Sequence, residues 1–195
     1  MRNSFVSFIF IIALAFTFFA ATAFYPLAGS IGGQPETLQH ASNLVPERLV
    51  ILSLGVDVEA IPYDGAGFAT YRPDAVNYLP ELASHGSVGI IAHSNLVGEN
   101  FYALRPGDQI IITFTGETTI TYEVTAKLAY QSLGRGSYRE IGSGMTFNWT
   151  EMTWHLFGPQ SRLTLFTCMN FRGTIDYDPY APLWGRMAVF AEPEN

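Results

Sequence analysis

The sequence Leu-Thr-Leu-Phe-Thr-Cys at residues 163–168 joins an apolar, strand-like run to the only cysteine of the chain. A thiol at the end of a strand is held rigidly by the sheet and still faces a groove at the sheet edge. One cysteine forms no internal disulfide and cannot build a thiolate zinc site by itself. In an exported protein it is therefore either a buried filler, since free Cys is among the most buried residue types, or a retained reactive thiol.

Two further polar residues stand at the ends of strand-like runs. His93 follows the apolar run at residues 88–92, and Arg186 begins the run at residues 186–191. Acyl transfer through a thioester needs a nucleophile, a proton carrier and an oxyanion partner, and Cys168, His93 and Arg186 are suitable residue types. Each also has a structural explanation: a buried thiol, a satisfied histidine after a strand, and a solvated edge arginine.

Other histidines and one other arginine compete for these roles. His40 lies in a spacer, and His85 lies in a Ser-His-Gly turn that is typical of a solvated imidazole. His155 is the serious rival, because the long connection that carries it precedes the cysteine strand and is able to line a groove. Arg172, four residues after the cysteine, is the alternative arginine. We take His93 as the first candidate.

The composition indicates one domain and excludes a nucleic-acid partner. The chain has 195 residues, with 10 Lys and Arg against 17 Asp and Glu, and no basic run. Asp57, Glu59 and Asp64 form only a loose acidic cluster, which is more typical of a solvated surface than of a metal site. The residues therefore indicate neither a metal nor a cofactor.

The N-terminus carries a targeting segment. Arg2 precedes an apolar stretch at residues 5–25, and about 20 such residues span a bilayer as a helix. The positive N-terminus is expected to stay in the cytoplasm, which exports the rest of the chain. Ala-Thr-Ala at residues 21–23 also has the form of a signal-peptidase site, so cleavage near Ala23 and secretion is the alternative to an uncleaved anchor. Both interpretations export the folded domain.

The remaining sequence divides into a spacer and a folded domain. We predict an anchor or signal peptide at residues 1–25, a Gly/Ser/Pro-rich spacer at 26–46 and a domain at 47–195. Strands are predicted at residues 48–56, 88–92, 109–114, 119–128, 163–167 and 186–191. Helices are predicted at residues 73–83, 98–104 and 149–157. Many short strands and few long helices predict a mainly β fold, a closed or nearly closed barrel preceded by the N-terminal hydrophobic segment.

The cysteine strand resembles that of the sortases, the cysteine transpeptidases of bacterial surfaces. Their TLxTC motif is fully present as Thr164, Leu165, Thr167 and Cys168. The segment before His93 is similar to the sortase strand that leads into the catalytic histidine. The resemblance covers roughly residues 48–191 and is weak from 131 to 161, a connection that either forms a wall of the groove or is an insertion packed elsewhere.

One residue near the histidine departs from the family pattern. Ala92 stands where sortases most often have glycine. Downstream, residues 98–101 and 104–112 again agree with the family.

The resemblance implies a sortase-like barrel and a reaction. Cys168 would be the nucleophile, His93 the general acid and base, and Arg186 the oxyanion partner. The substrate would be a surface protein with an LPXTG-like C-terminal sorting signal, cut between Thr and Gly. The acyl group would pass to a cell-wall precursor amine or a protein Lys. The enzyme would lie at the cell membrane, anchored by a single pass with its catalytic domain outside.

Some properties stay open at this point. Some sortases are activated by calcium through acidic loop residues, which this sequence does not indicate. A sortase-fold cysteine protease that hydrolyses the thioester is an alternative to the transpeptidase. A non-catalytic exported barrel that binds peptides is the alternative to both enzymes.

Overall fold

The structure is a computed structural model that describes residues 44–65, 69–83, 86–158, 162–170 and 183–194. All of these lie within one unit, Gln34–Asn195. The predicted anchor or signal peptide, most of the predicted spacer, His40, His85 and Arg172 lie outside the described residues. Within those ranges no helix combines the length and the apolar character that crossing a bilayer requires.

The strands of the described chain form one sheet that closes on itself. They are β1 Pro46–Ile51, β2 Val56–Pro62, β3 Ala75–Tyr78, β4 Val88–Ala92, β5 Gln109–Phe114, β6 Thr119–Gly134, β7 Ser137–Glu140, β8 Thr146–Asn148, β9 Leu163–Asn170 and β10 Leu183–Pro193. Their order is β10-β9-β4-β3-β2-β1-β5-β6-β7-β8, and a further β10–β6 pairing closes the barrel at β6. The predicted mainly β fold is confirmed, and the barrel is closed.

Strand β6 makes the closure because it is long enough to pair along both of its edges. Its first half pairs with β5, with Glu123 opposite Gln109, and its later residues pair with β10, with Gln131 opposite Gly185. Most neighbouring strands are antiparallel. The pairs β2–β3 and β4–β9 are parallel.

Side chains of β9 alternate between the barrel interior and its outer surface. Leu163, Leu165 and Met169 belong to the core inside the barrel, whereas Phe166 belongs to a second apolar cluster on the outside. This period of two is what a β-strand imposes. The strand is thus buried on both faces, which explains why its sequence is a nearly continuous apolar run.

The outer cluster is covered by helix α3, Trp149–Phe157, which has the predicted bounds. A capping box begins the helix: the Asn148 side chain accepts from the backbone nitrogen of Glu151 at 2.9 Å, and the Glu151 carboxylate accepts from the backbone nitrogen of Asn148 at 2.8 Å. The helix packs on β9, where Phe157 meets Phe166 edge-on with ring centroids 6.0 Å apart. Within the predicted connection, residues 131–158 therefore extend the sheet and cover its outer surface.

The helix predicted at residues 73–83 is wrong. Residues Ala75–Tyr78 form β3, and only Pro80–Ala83 are helical, as α1. The buried Asn77 side chain donates to the carbonyl oxygens of Ile61 at 3.4 Å and Pro62 at 3.1 Å. Pairing with β2 and β4 therefore overrides the helical spacing of the apolar residues.

The strand predicted at residues 48–56 is too long. β1 ends at Ile51, and a 3-10 turn, Leu52–Leu54, leads to Gly55 in the left-handed conformation with φ of 64°. The next strand, β2, begins at Val56 and returns antiparallel to β1. The prediction for residues 98–104 is confirmed as helix α2, Val97–Asn100, followed by a 3-10 turn, Phe101–Ala103.

Stability is expected to depend on the barrel interior. Leu165 is fully buried, so Leu165→Ala should lower the free energy of unfolding by about 2–5 kcal/mol through lost burial and a new cavity. Leu52, which is 72% exposed, is the matched control. Leu52→Ala should change the free energy of unfolding by less than about 0.5 kcal/mol. Urea denaturation measures both. Equal losses in the two variants would contradict this account of the core.

Candidate active site

The three predicted site residues lie in one row across adjacent strands. Cys168 on β9 is paired with Arg186 on β10. On the other side of β9, Ala92 is the last residue of β4 and is paired with Thr167, so that His93 follows in line with Cys168. Neighbouring strands are about 4.8 Å apart, which sets the spacing of such a row.

The row belongs to the outer surface of the barrel. Ile91, Phe166 and Ala188 form the preceding row of the same face and belong to the outer cluster. Cys168 lies two residues after Phe166 and Arg186 two residues before Ala188, so the alternation brings both to that same face. Phe166 is buried, whereas Cys168 and Arg186 are half-buried. On this face Cys168 is therefore more exposed than the residues two positions before and after it, Phe166 and Asn170, which are both buried.

The imidazole of His93 is held by the loop between β2 and β3. Its Nε2 lies 2.8 Å from the carbonyl oxygen of Ala69, and the Tyr71 ring meets it edge-on with centroids 5.1 Å apart. Because a carbonyl oxygen only accepts, Nε2 carries a proton in this contact, which assigns the lone pair of the neutral ring to Nδ1. Asn95 donates to the Tyr71 hydroxyl at 2.8 Å and supports the loop.

The backbone around Cys168 is fixed by side-chain hydrogen bonds where the β4–β9 ladder ends. Thr167 Oγ1 donates to the carbonyl oxygen of Ala92 at 2.8 Å. The hydroxyl of Tyr102 donates to the carbonyl oxygen of Cys168 itself. The backbone nitrogen of Gly98 donates to the carbonyl oxygen of His93 at 3.0 Å. Gly98 thus lies directly against the end of the β4–β9 ladder.

The guanidinium of Arg186 bonds to a backbone carbonyl and lies on the strand next to Tyr130. Its Nη1 donates to the carbonyl oxygen of Gly185 at 2.9 Å, and it takes part in no ion pair within the described ranges. On β6 it is paired with Tyr130. Burial raises the pKa of the Tyr130 phenol, and the Glu140 carboxylate raises this pKa further. The phenol therefore stays neutral beside Arg186.

Solved structures match the chain in fold, whereas no protein-family model and no curated protein matches it. Sortase A from Corynebacterium diphtheriae matches with a TM-score of 0.51 and 20% identity, over 77% of this chain and 61% of that chain. Sortase C-1 from Actinomyces oris matches at 0.52 and 19%, over 76% of this chain and 73% of its own. Sortase C2 of pilus island 1 from Group B Streptococcus matches at 0.50 and 16%, over 80% and 76%. The chain has the sortase fold.

Within this sortase fold, the rival histidine is engaged elsewhere. His155 on α3 lies 3.8 Å from Glu140 Oε2, and its ring stacks on Phe147 at 5.0 Å between centroids. Glu140 and Phe147 belong to β7 and β8, which lie beyond β10 and β6 in the strand order from β9. The structure thus brings His93, and not His155, into line with Cys168.

The loose acidic cluster is partly neutralised by arginines. Asp57 receives two hydrogen bonds from Arg48, which lower the pKa of its carboxyl, and Glu59 lies 3.1 Å from Arg72. Across the described part of the chain no group of three or more His, Cys, Asp or Glu residues is arranged to hold a metal ion.

Sequence reasoning missed the residues that orient the row. Tyr71, Asn95 and Tyr102 act through loops and a 3-10 turn whose contacts are with residues distant in sequence. A periodic pattern carries no information on such contacts. For Tyr102, its position within the short helix that follows His93 is the only available signal.

Gly98 is expected to be intolerant of a side chain. A Cβ at this position would lie 2.4 Å from Thr167 Oγ1 and 2.6 Å from the carbonyl oxygen of His93. Gly98→Ala should therefore cost about 1–3 kcal/mol of stability and slow alkylation of Cys168, because the turn after His93 must shift. Thermal melting and iodoacetamide kinetics measure the two effects.

A second glycine supplies the control. A Cβ on Gly142 would meet only Glu140 Oε1, at an ordinary 3.6 Å. Gly142→Ala should leave the melting temperature and the alkylation rate nearly unchanged. Similar behaviour of the two variants would show that the close packing at Gly98 does not fix the site.

Proposed function

We propose that the protein is a cysteine transpeptidase of the sortase type. It cleaves an LPXTG-like C-terminal sorting signal between Thr and Gly, through a thioester on Cys168, and transfers the acyl group to an amine. The observation that carries the proposal is the row formed by Cys168 on β9, Arg186 on the adjacent β10 and His93, which directly follows β4. These are the residue types that thioester chemistry requires.

In the first half of the reaction Cys168 is acylated. The thiol proton passes to His93, and the thiolate sulfur attacks the Thr carbonyl carbon of the signal. Arg186 donates hydrogen bonds to the oxyanion that forms on the carbonyl oxygen. The C–N bond to Gly then breaks, and the leaving nitrogen takes the proton from His93. The products are a thioester and a released C-terminal fragment with a free amine.

In the second half an amine replaces the sulfur. Its nitrogen attacks the thioester carbonyl carbon and gives a proton to His93, the C–S bond breaks, and a new amide forms. Since Nε2 of His93 is committed to the carbonyl of Ala69, Nδ1 is the nitrogen that exchanges protons in both halves. The acceptor is a cell-wall precursor amine or a Lys of another surface protein.

We further propose that the domain works on the outer side of the cell membrane, tethered by the N-terminal apolar segment or released after cleavage near Ala23. This rests on the sequence of residues 1–25, which lie outside the described ranges. Surface proteins with sorting signals are the expected partners there. The charge balance gives no reason to expect nucleic acid.

Intact-mass analysis tests the acylation step. The full-length protein in detergent is incubated with pooled LPXTG-type peptides, with and without hydroxylamine. Wild type should gain the mass of the acyl fragment, and hydroxylamine should convert that adduct to a peptide hydroxamate. Cys168→Ala should gain nothing. His93→Ala should lower the rate by roughly 10²–10⁴-fold and Arg186→Ala by roughly 10²–10³-fold.

The competing histidine is the matched control for this experiment. His155→Ala should form the adduct at nearly the wild-type rate, because His155 contacts Glu140 and Phe147 on other strands. An inactive His155→Ala beside an active His93→Ala would identify His155, and not His93, as the proton carrier and would contradict the proposal. Peptide binding without adduct or cleavage, retained in Cys168→Ala, would support the non-catalytic barrel instead.

The choice between transfer and hydrolysis depends on the acceptor. A transpeptidase should give a product that carries the added amine, in a proportion that rises with amine concentration. Liquid chromatography with mass detection measures the partition between the amide and the free acid. Free acid as the sole product at every amine concentration would identify the protein as a hydrolytic sortase-fold protease.

A further inference from the structure

Strand β9 extends beyond its neighbour at the point where Cys168 lies. The parallel ladder with β4 ends at Ala92 and Thr167, whereas β9 continues to Asn170 in its pairing with β10. Among the described residues, the backbone of β9 from Cys168 onward therefore has a strand partner on one edge only. On the other edge the chain has turned away after His93 into helix α2 and the 3-10 turn Phe101–Ala103.

Tyr102, in that 3-10 turn, supplies a hydrogen bond to β9 beyond the end of the β4–β9 ladder. Its hydroxyl donates to the carbonyl oxygen of Cys168. The turn itself is attached to β6, because Lys127 Nζ donates to the carbonyl oxygens of Tyr102 at 2.7 Å and Leu104 at 3.0 Å. On either side of Tyr102, Phe101 and Leu104 are fully buried in the barrel core. The phenol is thus presented from a firmly anchored turn.

The geometry points to Tyr102 as a positioning residue for the nucleophile. We propose that its hydrogen bond to the Cys168 carbonyl fixes the end of β9 and so sets the thiol in line with His93 and Arg186. This rests on the proposed role of Cys168 as nucleophile. The phenol binds the backbone of Cys168, so it acts on the alignment of the thiol and not on substrate recognition.

Tyr102→Phe removes the donor and keeps the ring. In the full-length protein kcat should fall roughly 10- to 100-fold, since small misplacements of a reacting group carry losses of this order. KM should stay within about threefold of wild type, because an interaction outside the substrate site does not contribute to ground-state binding. The rate of Cys168 alkylation by iodoacetamide, followed across pH as a profile, should fall below that of wild type, because the thiol loses its fixed position beside His93 and Arg186.

Two further variants separate positioning from general stability. Lys127→Met releases the turn but keeps the phenol, so it should lower kcat in the same direction and by less. Tyr138→Phe alters a tyrosine on β7, which pairs with β6 and β8 and not with β9, and should leave kcat and the alkylation profile unchanged. Circular dichroism at the assay temperature reports the folded fraction of each variant.

The outcomes distinguish this inference from the proposed function. Wild type that forms no thioester would overturn the transpeptidase, while the alkylation profiles would still decide the role of Tyr102. Active wild type together with a Tyr102→Phe whose kcat and alkylation profile lie within twofold of it would overturn the positioning role. A loss of kcat that matches only the unfolded fraction would overturn it as well.

Discussion

The parallel pairing of β4 with β9 is the constraint on which the rest of the structure depends. Its register sets Ala92 opposite Thr167, and therefore His93 in line with Cys168. A slip of one residue would turn Cys168 into the barrel and Leu165 out of it, so the apolar alternation of β9 specifies the register strongly. The hydrogen bond from Thr167 to Ala92 and the close approach of Gly98 fix the end of this ladder.

The same strand is buried along its length and is accessible at Cys168. Along most of β9, the barrel core packs on one face and helix α3 on the other. Interiors packed in this way yield little to local forces. Cys168 is the point at which this burial is relieved, because its side chain is half-buried between buried residues on both sides along the strand. A nucleophile needs this combination of a fixed backbone and a thiol that a peptide is able to reach.

The sequence allowed the mainly β fold and the candidate residues at strand ends to be predicted from strand patterns, while the expectation that these residues form one site came from the sortase resemblance. β4, β5 and α3 have the predicted bounds, and the cysteine strand was identified from its apolar run. The failures have a physical cause in tertiary pairing. The spacing of apolar residues at 73–83 fits a helix, yet β2 and β4 recruit Ala75–Tyr78 as a strand, and Asn77 bonds to β2 carbonyls that no local pattern reveals.

Chain direction explains why three residues so distant in sequence meet. Parallel strands have their carboxyl ends at one edge of a sheet, so a residue after β4 and a residue near the end of β9 lie side by side. Strand β10 returns antiparallel from that same edge, which brings Arg186, near its beginning, next to Cys168. Two strand ends and one strand start are therefore sufficient to assemble the row. The orientation of each group within it depends instead on turns, through Ala69 for His93 and Tyr102 for Cys168. Strand patterns thus predict which residues stand at strand ends, whereas the pairing of those ends and the atoms that face one another are fixed by contacts that only the folded chain creates.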